Sequence, residues 1–535
     1  MEEIVLQILT YSLALSALYA LWASLNWAYF RPKRLEAFLR QQGLRGNKYS
    51  SIHGDLKELK LITESAKAKP IRLDDDIKPR VLGLIVKTIA AYGNESYFWI
   101  GPKPSVILTD PEMVKEVLRK NDVFTKPVNP NPLTRILSKG LIGYEGEKWA
   151  KHRKLLNPAF HMEKLKLMVP AFGLSSAEVL NEWEKKTMSS SSENGGSEEI
   201  EIDVWPYLQT ITSDAISRTA FGSRYEDGRK IFQLQNEQVK LAVESRTLPY
   251  IPGSRYLPTR KNKRLTEIKR DLQLLVRELI DRRMKAMKSG EEADAAAAND
   301  LLGLMLESNF REVEHHGNNS SYGMSIEEII DECTLFYLAG QETTSSLILW
   351  TMVLLSRHPE WQERAREEVL NVFGKEEQPN FEGLNHLKVV SISVTMILHE
   401  VMRFHPPVAA LGRHVSEEIR LGSITLPAGA SVSLPILHQH HSAEVWGDDA
   451  MEFNPERFRE GVAKAQKGRS GLYFPFGWGP RICIGQSFAL LETKVVVSMI
   501  LQRFKFRLSP SYAHAPHSLI TIQPQHGAPL ILQKL

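Results

Sequence analysis

One of the few cysteines of this chain lies in a loop rich in glycine and proline, directly before an apolar run typical of a buried helix. The loop, residues 474–485, reads FPFGWGPRICIG, and the run extends from Phe488 to Ile500. Glycines allow tight turns that bring backbone N–H groups towards one sulfur, and a helix N-terminus favours an anion. We therefore expect a lowered pKa for the Cys483 thiol, which would make it a nucleophile or a metal ligand.

The neighbours of this cysteine favour the role of a metal ligand. A nucleophilic thiol needs a positioned histidine base, and the loop contains none. Arg481 instead offers a planar guanidinium group whose geometry suits a carboxylate. A haem would bring both an iron for Cys483 and propionates for Arg481. The alternative is a turn followed by a structural cysteine, as most lone cysteines are.

Composition excludes several classes of protein. The chain has 535 residues, of which 43% are hydrophobic, so it can bury a large core. The 67 Lys and Arg residues nearly balance the 63 Asp and Glu residues, and the net charge of +4 gives no reason to expect nucleic acid as a partner. The 2 cysteines, Cys333 and Cys483, exclude a disulfide scaffold and a zinc site of paired CxxC motifs.

The N-terminal segment predicts a membrane anchor. No charged side chain occurs from Ile4 to Phe30, and a helix of that length spans about 40 Å, more than the ~30 Å hydrocarbon core of a bilayer. Aromatic and then basic residues mark its C-terminal end: Trp22, Trp27, Tyr29, Phe30, Arg31, Lys33 and Arg34. This order predicts residues 1–30 as the anchor and residues 31–535 as a cytosolic body. A cleaved signal peptide is the alternative.

The body is predicted to be mainly helical with small β-sheets. Short apolar runs around Gly101-Pro102 indicate two paired strands, Tyr97 to Ile100 and Ser105 to Leu108, and further strands are expected at Ile419 to Leu426 and Ser431 to Leu437. From Pro111 onward apolar residues mostly recur three and four positions apart, which indicates helices. Residues 187–199 and 289–299 are predicted as surface loops. No linker divides the body, so one large domain is possible.

A second segment combines a long helix with small and polar residues at its centre. Ser325 and Glu328 form a capping box, and no proline follows until Pro359, which predicts a helix of about 50 Å from Ile326 to His358. Its centre reads AGQETT, residues 339–344. We expect the Thr343 hydroxyl to bond the Ala339 carbonyl and the helix to open locally near Gly340. Glu342 and Thr343 would then supply an acid and an alcohol. A polar surface patch with a glycine kink is the alternative.

The loop at 474–485 resembles the signature of the cytochrome P450 haem-thiolate monooxygenases, FxxGxRxCxG. Phe476, Gly479, Arg481, Cys483 and Gly485 fill every fixed position. The resemblance implies the cytochrome P450 fold, haem b as the cofactor and Cys483 as the axial iron ligand. It also implies that Phe476 and Arg481 contact the haem.

Further family motifs follow in the expected order. The motif AGxET matches residues 339–343, and it implies that Ala339 and Gly340 line the oxygen pocket while Thr343 and Glu342 relay protons. The remaining matches are the WxxxR helix with Trp149 and Arg153, the ExxR pair of Glu400 and Arg403, the PERF segment with Arg457, and Arg413 in a strand position. Trp149, Arg153, Arg413 and Arg481 would bind the propionates, and Glu400, Arg403 and Arg457 would form a structural triad. An ordinary helix salt bridge is the alternative for the ExxR pair.

Nearly the whole chain resembles plant members of P450 family 72, subfamily A. The stretches that carry this resemblance are RPKRLEAFLRQQGLRG at 31–46, EKWAKHRKLLNPAFHMEKL at 147–165, TSDAISRTAFGSRY at 212–225 and FYLAGQETT at 336–344. The chain lacks the proline-rich hinge that follows the anchor of many microsomal P450s. Relatives of this kind oxidise terpenoid skeletons, so the resemblance implies a pentacyclic triterpenoid as the first choice of substrate. A secoiridoid, a gibberellin or a brassinosteroid is the alternative.

The reaction that the resemblance implies is insertion of one oxygen atom from O2 into a C–H bond. Electrons would come from NADPH through a separate NADPH-cytochrome P450 reductase, because no flavin or dinucleotide motif occurs here.

The segments expected to shape the pocket are 128–137, 335–336, 408–411 and 517–520. A basic face on residues 148–154 would attract an acidic electron donor, or it is simply a solvated surface. The expected location is the endoplasmic reticulum membrane, with the catalytic domain in the cytosol. A non-oxidative haem-thiolate isomerase and a non-catalytic haem-binding membrane protein are the alternatives of other classes.

Overall fold

The computed structural model describes residues 2–50, 52–127, 139–193, 199–223, 225–245, 251, 253–289, 300–389, 393–466 and 472–535. The predicted pocket segment at 128–137 lies outside these residues, as does nearly all of the predicted loop at 289–299. The α-helices of the described residues are α1 (Glu2–Leu25), α2 (Arg31–Gln41), α3 (Leu56–Ala68), α4 (Lys78–Val81), α5 (Gly83–Tyr92), α6 (Pro111–Arg119), α7 (Gly146–Leu156), α8 (Met162–Leu165), α9 (Val169–Glu193), α10 (Val204–Phe221), α11 (Tyr225–Glu244), α12 (Arg260–Ser289), α13 (Leu301–His315), α14 (Ile326–Arg357), α15 (Pro359–Phe373), α16 (Phe381–Val389), α17 (Ser393–Phe404), α18 (Ile436–His440), α19 (Ala443–Trp446) and α20 (Gln486–Arg503).

The strands are short and form four separate sheets within the described part of the chain. They are β1 (Arg45–Gly46), β2 (Ser96–Ile100), β3 (Lys103–Ile107), β4 (Phe124–Thr125), β5 (Glu199–Asp203), β6 (Leu411–Val415), β7 (Ile419–Leu421), β8 (Ile424–Leu426), β9 (Ser431–Leu434), β10 (Phe504–Leu508), β11 (Pro516–Ser518), β12 (Ile522–Pro524) and β13 (Pro529–Lys534). The largest sheet has the order β1-β2-β3-β9-β6-β4. The others pair β10-β13-β5, β11-β12 and β7-β8.

No residue of the N-terminal helix α1 is buried. The helical path continues past Leu25 through a π-helical turn, Asn26–Phe30, into α2. The stretch from Glu2 to Gln41 is long and apolar enough to cross a membrane, and none of its apolar window is buried against the body. The helix therefore extends beyond the predicted boundary at residue 30.

Helix α14 crosses the centre of the molecule. The capping box of Ser325 and Glu328 is confirmed, and the helix ends at Arg357, one residue before the predicted end. It packs on α10, α12, α17 and α20, and its aliphatic residues join a large core that includes Ile348 and Leu349. Such a helix buries apolar side chains all round, which is why most of it is hydrophobic rather than amphipathic.

A second core stabilises the six-stranded sheet. Tyr97, Trp99, Phe124 and Val432 from this sheet pack with Trp446. The predicted hairpin of two strands around Gly101-Pro102 is confirmed as β2 and β3, which pair in antiparallel register from Ser96↔Ile107 to Ile100↔Lys103.

Three local predictions are wrong. Residues 187–193 continue α9 rather than forming a loop; the turn that leads into them is held in the core, since Trp183 and Thr187 are completely buried. Helix α14 is α-helical throughout, so the predicted opening near Gly340 is absent. The strand expected to reach Leu437 ends at Leu434, since Pro435 precedes the short helix α18.

Candidate active site

A cavity of about 310 Å³ lies between α14 and the cysteine loop. Its walls combine apolar side chains with a cluster of cations on one side. The lining residues used below are Lys126, Trp149, Arg153, Phe160, Ile216, Leu301, Leu335, Phe336, Ala339, Gly340, Thr343, Thr344, Met402, Val408, Leu411, Arg413, Phe476, Arg481, Cys483, Phe488 and Ala489. The cavity therefore contains nearly all the residues that the sequence predicts for haem and oxygen.

The cysteine loop holds its sulfur towards this cavity. The Cys483 N–H donates to the Phe476 carbonyl at 2.9 Å, which closes the loop. Gly479 has a positive φ of 71°, and a Cβ there would lie 2.6 Å from the Leu118 carbonyl oxygen, so only glycine fits. The side chain of Cys483 is exposed although the loop lies deep in the fold. Its exposed surface lies inside the cavity.

The prediction of a lowered thiol pKa is wrong for the protein by itself. Burial raises the pKa of the Cys483 thiol, while the Gly485 N–H and the charges of Arg153 and Lys126 lower it by less. The expected stabilising groups are thus present, but loss of hydration has the larger effect.

Two of the predicted propionate ligands already have protein partners. Arg153 donates to the Ile482 carbonyl at 3.0 Å. Arg481 stacks over the Trp149 ring at 4.3 Å, donates to the Tyr144 carbonyl at 2.8 Å and pairs with the Glu145 carboxylate. Glu145 was not predicted. Its only sequence signal is its place directly before α7.

The other cations lack such partners. Arg413 is buried, and its only hydrogen bond among the described residues goes to the carbonyl of the adjacent Gly412, at 2.8 Å. Burial and the Arg481 charge lower the pKa of Arg413 to about 10. Lys126, also missed by the sequence, follows β4, which pairs with β6 so that Thr125 lies opposite His414. Burial and the charges of Arg413 and Arg481 lower its pKa to about 7.

This charge distribution fits the haem that the sequence implies. Four cations line one side of the cavity, and Glu145 is the carboxylate that pairs with them in the described structure. Excess positive charge in a buried site needs an anion, and the two propionates of haem b would supply it. The apolar remainder of the cavity and the thiol of Cys483 suit the porphyrin and its iron.

We expect Arg413→Met to weaken haem retention about 10- to 100-fold, because a hydrogen bond to a charged group contributes about 1.5–3 kcal/mol. The measurement is haem content per protein during dialysis against a haem-binding competitor. Arg420→Met is the matched control, because Arg420 is exposed on the neighbouring hairpin. Equal haem loss from both variants would contradict the role of Arg413.

The face of α14 that lines the cavity contains Ala339, Gly340 and Thr343. The predicted bond between the Thr343 hydroxyl and the Ala339 carbonyl is confirmed at 2.7 Å. A Cβ on Gly340 would lie 2.9 Å from the Ile216 side chain on α10, so the glycine permits close helix packing. Small residues at 339 and 340 thus keep this wall of the cavity open.

Glu342 points away from the cavity. Its carboxylate is buried and accepts hydrogen bonds from the Thr521 hydroxyl at 3.1 Å and from the Gln523 amide. Burial raises the pKa of Glu342 despite these bonds. Thr521 and Gln523 come from the C-terminal β11–β12 region and were not predicted.

The predicted structural triad is present, with Glu400 and Arg403 completely buried and the side chain of Arg457 2% exposed. Arg403 donates to both oxygens of Glu400 at 2.7 Å, and Arg457 reaches Glu400 at 3.4 Å. Arg403 also donates to the carbonyls of His440, Ala450 and Glu452 at 2.7–2.9 Å. The network joins α17 to the end of α18 and to the segment after α19, and it does not line the cavity.

The basic residues of α7 are partly neutralised. Lys148 pairs with Glu328 at 2.7 Å, and Lys154 pairs with Glu312 at 2.6 Å. Lys151 donates to the Gly323 carbonyl at 2.8 Å, and His152 is buried against Glu332 at 2.6 Å. The face is therefore less cationic than its sequence indicates.

Most predicted pocket segments line the cavity where the structure describes them. Leu335 and Phe336 from α14, together with Val408 and Leu411, form part of its wall. Residues 517–520 do not belong to that wall.

The body is mainly helical, its central helix brings a threonine to the cavity, and one thiol lies near a group of cations. These features together define a haem-thiolate enzyme. The family model of cytochrome P450 matches residues 81–524. The chain belongs to the cytochrome P450 family, and it is a monooxygenase that uses haem b and receives electrons from NADPH through a reductase partner.

Relatives agree with the predicted subfamily. The chain is 53% identical over 100% of both chains to Cytochrome P450 CYP72A219 of Panax ginseng. It is 50% identical to the 7-deoxyloganic acid hydroxylase of Catharanthus roseus, over 97% of both chains. Among solved structures, retinoic acid bound cyanobacterial CYP120A1 is similar with a TM-score of 0.72 at 21% identity, covering 92% of this chain and 99% of that one. The predicted fold and the resemblance to family 72, subfamily A are confirmed.

Proposed function

We propose that this protein is a membrane-anchored monooxygenase that oxidises a C–H bond of a bulky hydrophobic terpenoid, with a pentacyclic triterpenoid as the first choice. The observation that carries this proposal is the apolar wall of the cavity beyond the cysteine loop. Phe160, Ile216, Leu301 and Phe336 form this wall, and the rings of Phe160 and Phe336 pack edge to face at 5.6 Å. Such a surface suits a large hydrocarbon skeleton.

A smaller acidic substrate is the second candidate. One relative at 50% identity is named a 7-deoxyloganic acid hydroxylase, which supports a substrate with a carboxylate. The cations of this cavity, however, lie on the side that the propionates would occupy, and the described apolar wall contains no cation. A free carboxylate would therefore lack a partner there, which favours the hydrophobic skeleton.

One group of cavity residues would hold the haem, and a second group would hold and pass protons. Cys483 would bind the iron, and Trp149, Arg153, Arg413, Arg481 and Lys126 would hold the propionates, with Phe476 packed beside them. When bound, haem b supplies the iron chemistry by which O2 is activated and a C–H bond is oxidised. The apolar wall would orient the substrate and exclude water.

The proton-handling residues would lie on both sides of α14. The Thr343 hydroxyl faces the cavity and would hold a proton at Oγ1, while Ala339 and Gly340 leave space beside it. Glu342 would keep a proton more readily than an exposed carboxyl because its pKa is raised. To pass that proton on, its side chain would have to leave Thr521 and Gln523, or water would have to connect it to Thr343.

The domain organisation and location form part of the same proposal. Residues 1–30 would anchor the protein in the endoplasmic reticulum membrane in a single pass, and residues 31–535 would form a cytosolic haem domain. The exposed apolar α1 and the basic residues after it support this arrangement. A substrate that partitions into lipid suits an enzyme fixed at the membrane. NADPH-cytochrome P450 reductase would dock on the cytosolic body.

The test is turnover of a panel of pentacyclic triterpenoids, secoiridoids, gibberellins and brassinosteroids by microsomes that contain this protein and a plant reductase. We expect NADPH-dependent products with one added oxygen atom from the triterpenoids, detected by mass spectrometry. Cys483→Ala and omission of NADPH are the controls.

The pattern of products separates the alternatives. Oxidation of an acidic iridoid without oxidation of any triterpenoid would favour the second candidate. Absence of every product, from protein with an intact thiolate spectrum, would contradict the terpenoid proposal and leave the haem site unaffected.

A further inference from the structure

Two buried glutamines on α11 have side-chain atoms without hydrogen-bond partners. Gln235 is 2% exposed and Gln238 is 1% exposed. The Oε1 atom of Gln235 and the Nε2 atom of Gln238 have no partner in the described structure. Buried polar atoms are normally paired, so these two amides require a group that completes them.

Both glutamines line a small space between α11 and α14. The volume of this space is about 10 Å³, which is room for one water-sized group. Leu335 on α14 forms part of its wall and also part of the wall of the active-site cavity. The Leu335 side chain is therefore shared between the two amides and the cavity in which the substrate would bind.

The hydrogen bond of Gln235 decides which of its amide atoms remains for a ligand. Its Nε2 donates to the Thr334 carbonyl on α14 at 2.7 Å, so Oε1 remains as an acceptor. Gln238 leaves its Nε2, which is a donor. One acceptor and one donor thus line the same space. A hydroxyl group satisfies both, because it donates its hydrogen and accepts at its oxygen.

Other oxygen-containing groups match these two atoms less well. A ketone oxygen only accepts, so it would leave Gln235 Oε1 unpaired. A carboxylate also only accepts, and it brings a charge that needs a cation. Lys139 lines the space, but both oxygens of Asp331 already accept from its ammonium group, at 2.8 and 2.9 Å. The arrangement therefore selects an alcohol.

The position of the two amides along α14 sets a length for the ligand. Thr334, whose carbonyl holds Gln235, precedes Thr343 by nine residues on the same helix. Nine residues of α-helix span about 13 Å. A molecule that reaches both the amides and the Thr343 hydroxyl must be long, as a skeleton of several fused rings is.

We propose that Gln235 and Gln238 form a subsite for a hydroxyl group of the substrate, at the end of the skeleton remote from the carbon that is oxidised. A change of the Leu335 rotamer opens the small space to the cavity. The substrate hydroxyl then donates to Gln235 Oε1, and Gln238 Nε2 donates to the hydroxyl oxygen. The subsite rests on the proposed function, because it assumes that a terpenoid occupies the cavity.

The test measures binding of matched ligands to the haem-loaded protein by the spectral change of the haem, without turnover. The ligands are a pentacyclic triterpene alcohol with one hydroxyl on a terminal ring, the corresponding ketone and the parent hydrocarbon. Hydroxylated members of the other panel classes and their ketones are measured in the same way. We expect Kd to be about 5- to 150-fold lower for the alcohol than for the ketone, because an unpaired buried polar atom costs about 1–3 kcal/mol.

A substitution at Gln238 separates a subsite from a general effect on the fold. Gln238→Met removes the amide donor and keeps a side chain of similar length. We expect it to raise Kd for the alcohol at least about fivefold and to leave Kd for the hydrocarbon unchanged, whereas a disturbed fold would weaken both. Gln233→Met is the matched control, because Gln233 is exposed on the same helix. If Gln238→Met does not fold, the ligand series on the unmodified protein decides the question.

The outcomes distinguish the subsite from the proposed function. Equal Kd values for alcohol, ketone and hydrocarbon would overturn the subsite, even if triterpenoids are oxidised, and would mean that the two amides hold a trapped water only. A preference for the alcohol of another panel class that Gln238→Met removes would support the subsite and contradict the triterpenoid skeleton. Absence of a spectral change with every ligand would contradict both.

Discussion

Cys483→Ala is expected to abolish both the thiolate spectrum and product formation. Cys483 is the thiol that faces the cavity, and the alanine methyl group has no atom that can bind iron. The propionate-binding cations remain in place, so the variant should still fold. The measurement is the carbon monoxide difference spectrum of the reduced protein, followed by turnover with NADPH and reductase.

Cys333→Ala is the matched control for this prediction. Cys333 is completely buried on α14, and burial raises the pKa of its thiol well above the usual value. It does not line the cavity. We expect the control to keep a normal thiolate spectrum. A normal spectrum in Cys483→Ala would contradict the assignment of the axial ligand.

Arg403→Ala is expected to prevent accumulation of folded haem protein. The substitution removes both hydrogen bonds to Glu400 and leaves three backbone carbonyls without their donor. Removing one partner of a buried ion pair costs about 3–5 kcal/mol, which is a large part of the stability of a typical protein. Haem content and thermal denaturation of the recovered protein measure the effect.

The control for this prediction is an ion pair on the surface of the same region. Arg459 pairs with Glu456 at 3.0 Å, and its side chain is 64% exposed. Arg459→Ala should change the free energy of unfolding by less than about 1 kcal/mol, because water screens exposed pairs. Arg403→Lys should behave like Arg403→Ala, since an ammonium group cannot reproduce the planar fork. A stable, haem-loaded Arg403→Ala would contradict the structural role of the triad.

Local sequence was sufficient to predict the elements that depend on residues close together in the chain. The capping box at Ser325 and the proline at 359 predicted both ends of α14 within one residue. The spacing of Thr343 and Ala339 predicted their hydrogen bond, and the turn at Gly101-Pro102 predicted the hairpin of β2 and β3. In each case the interacting groups lie within a few residues, so chain geometry alone brings them together.

Local patterns misled where the tertiary environment had the larger effect. Loop glycines and the helix N-terminus predicted a lowered pKa for the Cys483 thiol, but the depth of the loop raises it. The lysines of α7 suggested a free basic face, but α13 and α14 bring Glu312 and Glu328 against them. Desolvation and long-range charge pairing depend on the packed structure and leave no periodic signal in the sequence.

The sequence by itself determined the class of this protein, because the cysteine loop, the central helix and the ExxR pair are contiguous motifs whose chemistry follows from residue type and spacing. Only the tertiary structure decided which residues complete the site. Lys126 meets Arg413 through strand pairing, and Glu342 meets Thr521 and Gln523 from the C-terminal strands. These partners lie far apart in the chain, and the packing of distant elements, which local propensity does not encode, brings them together.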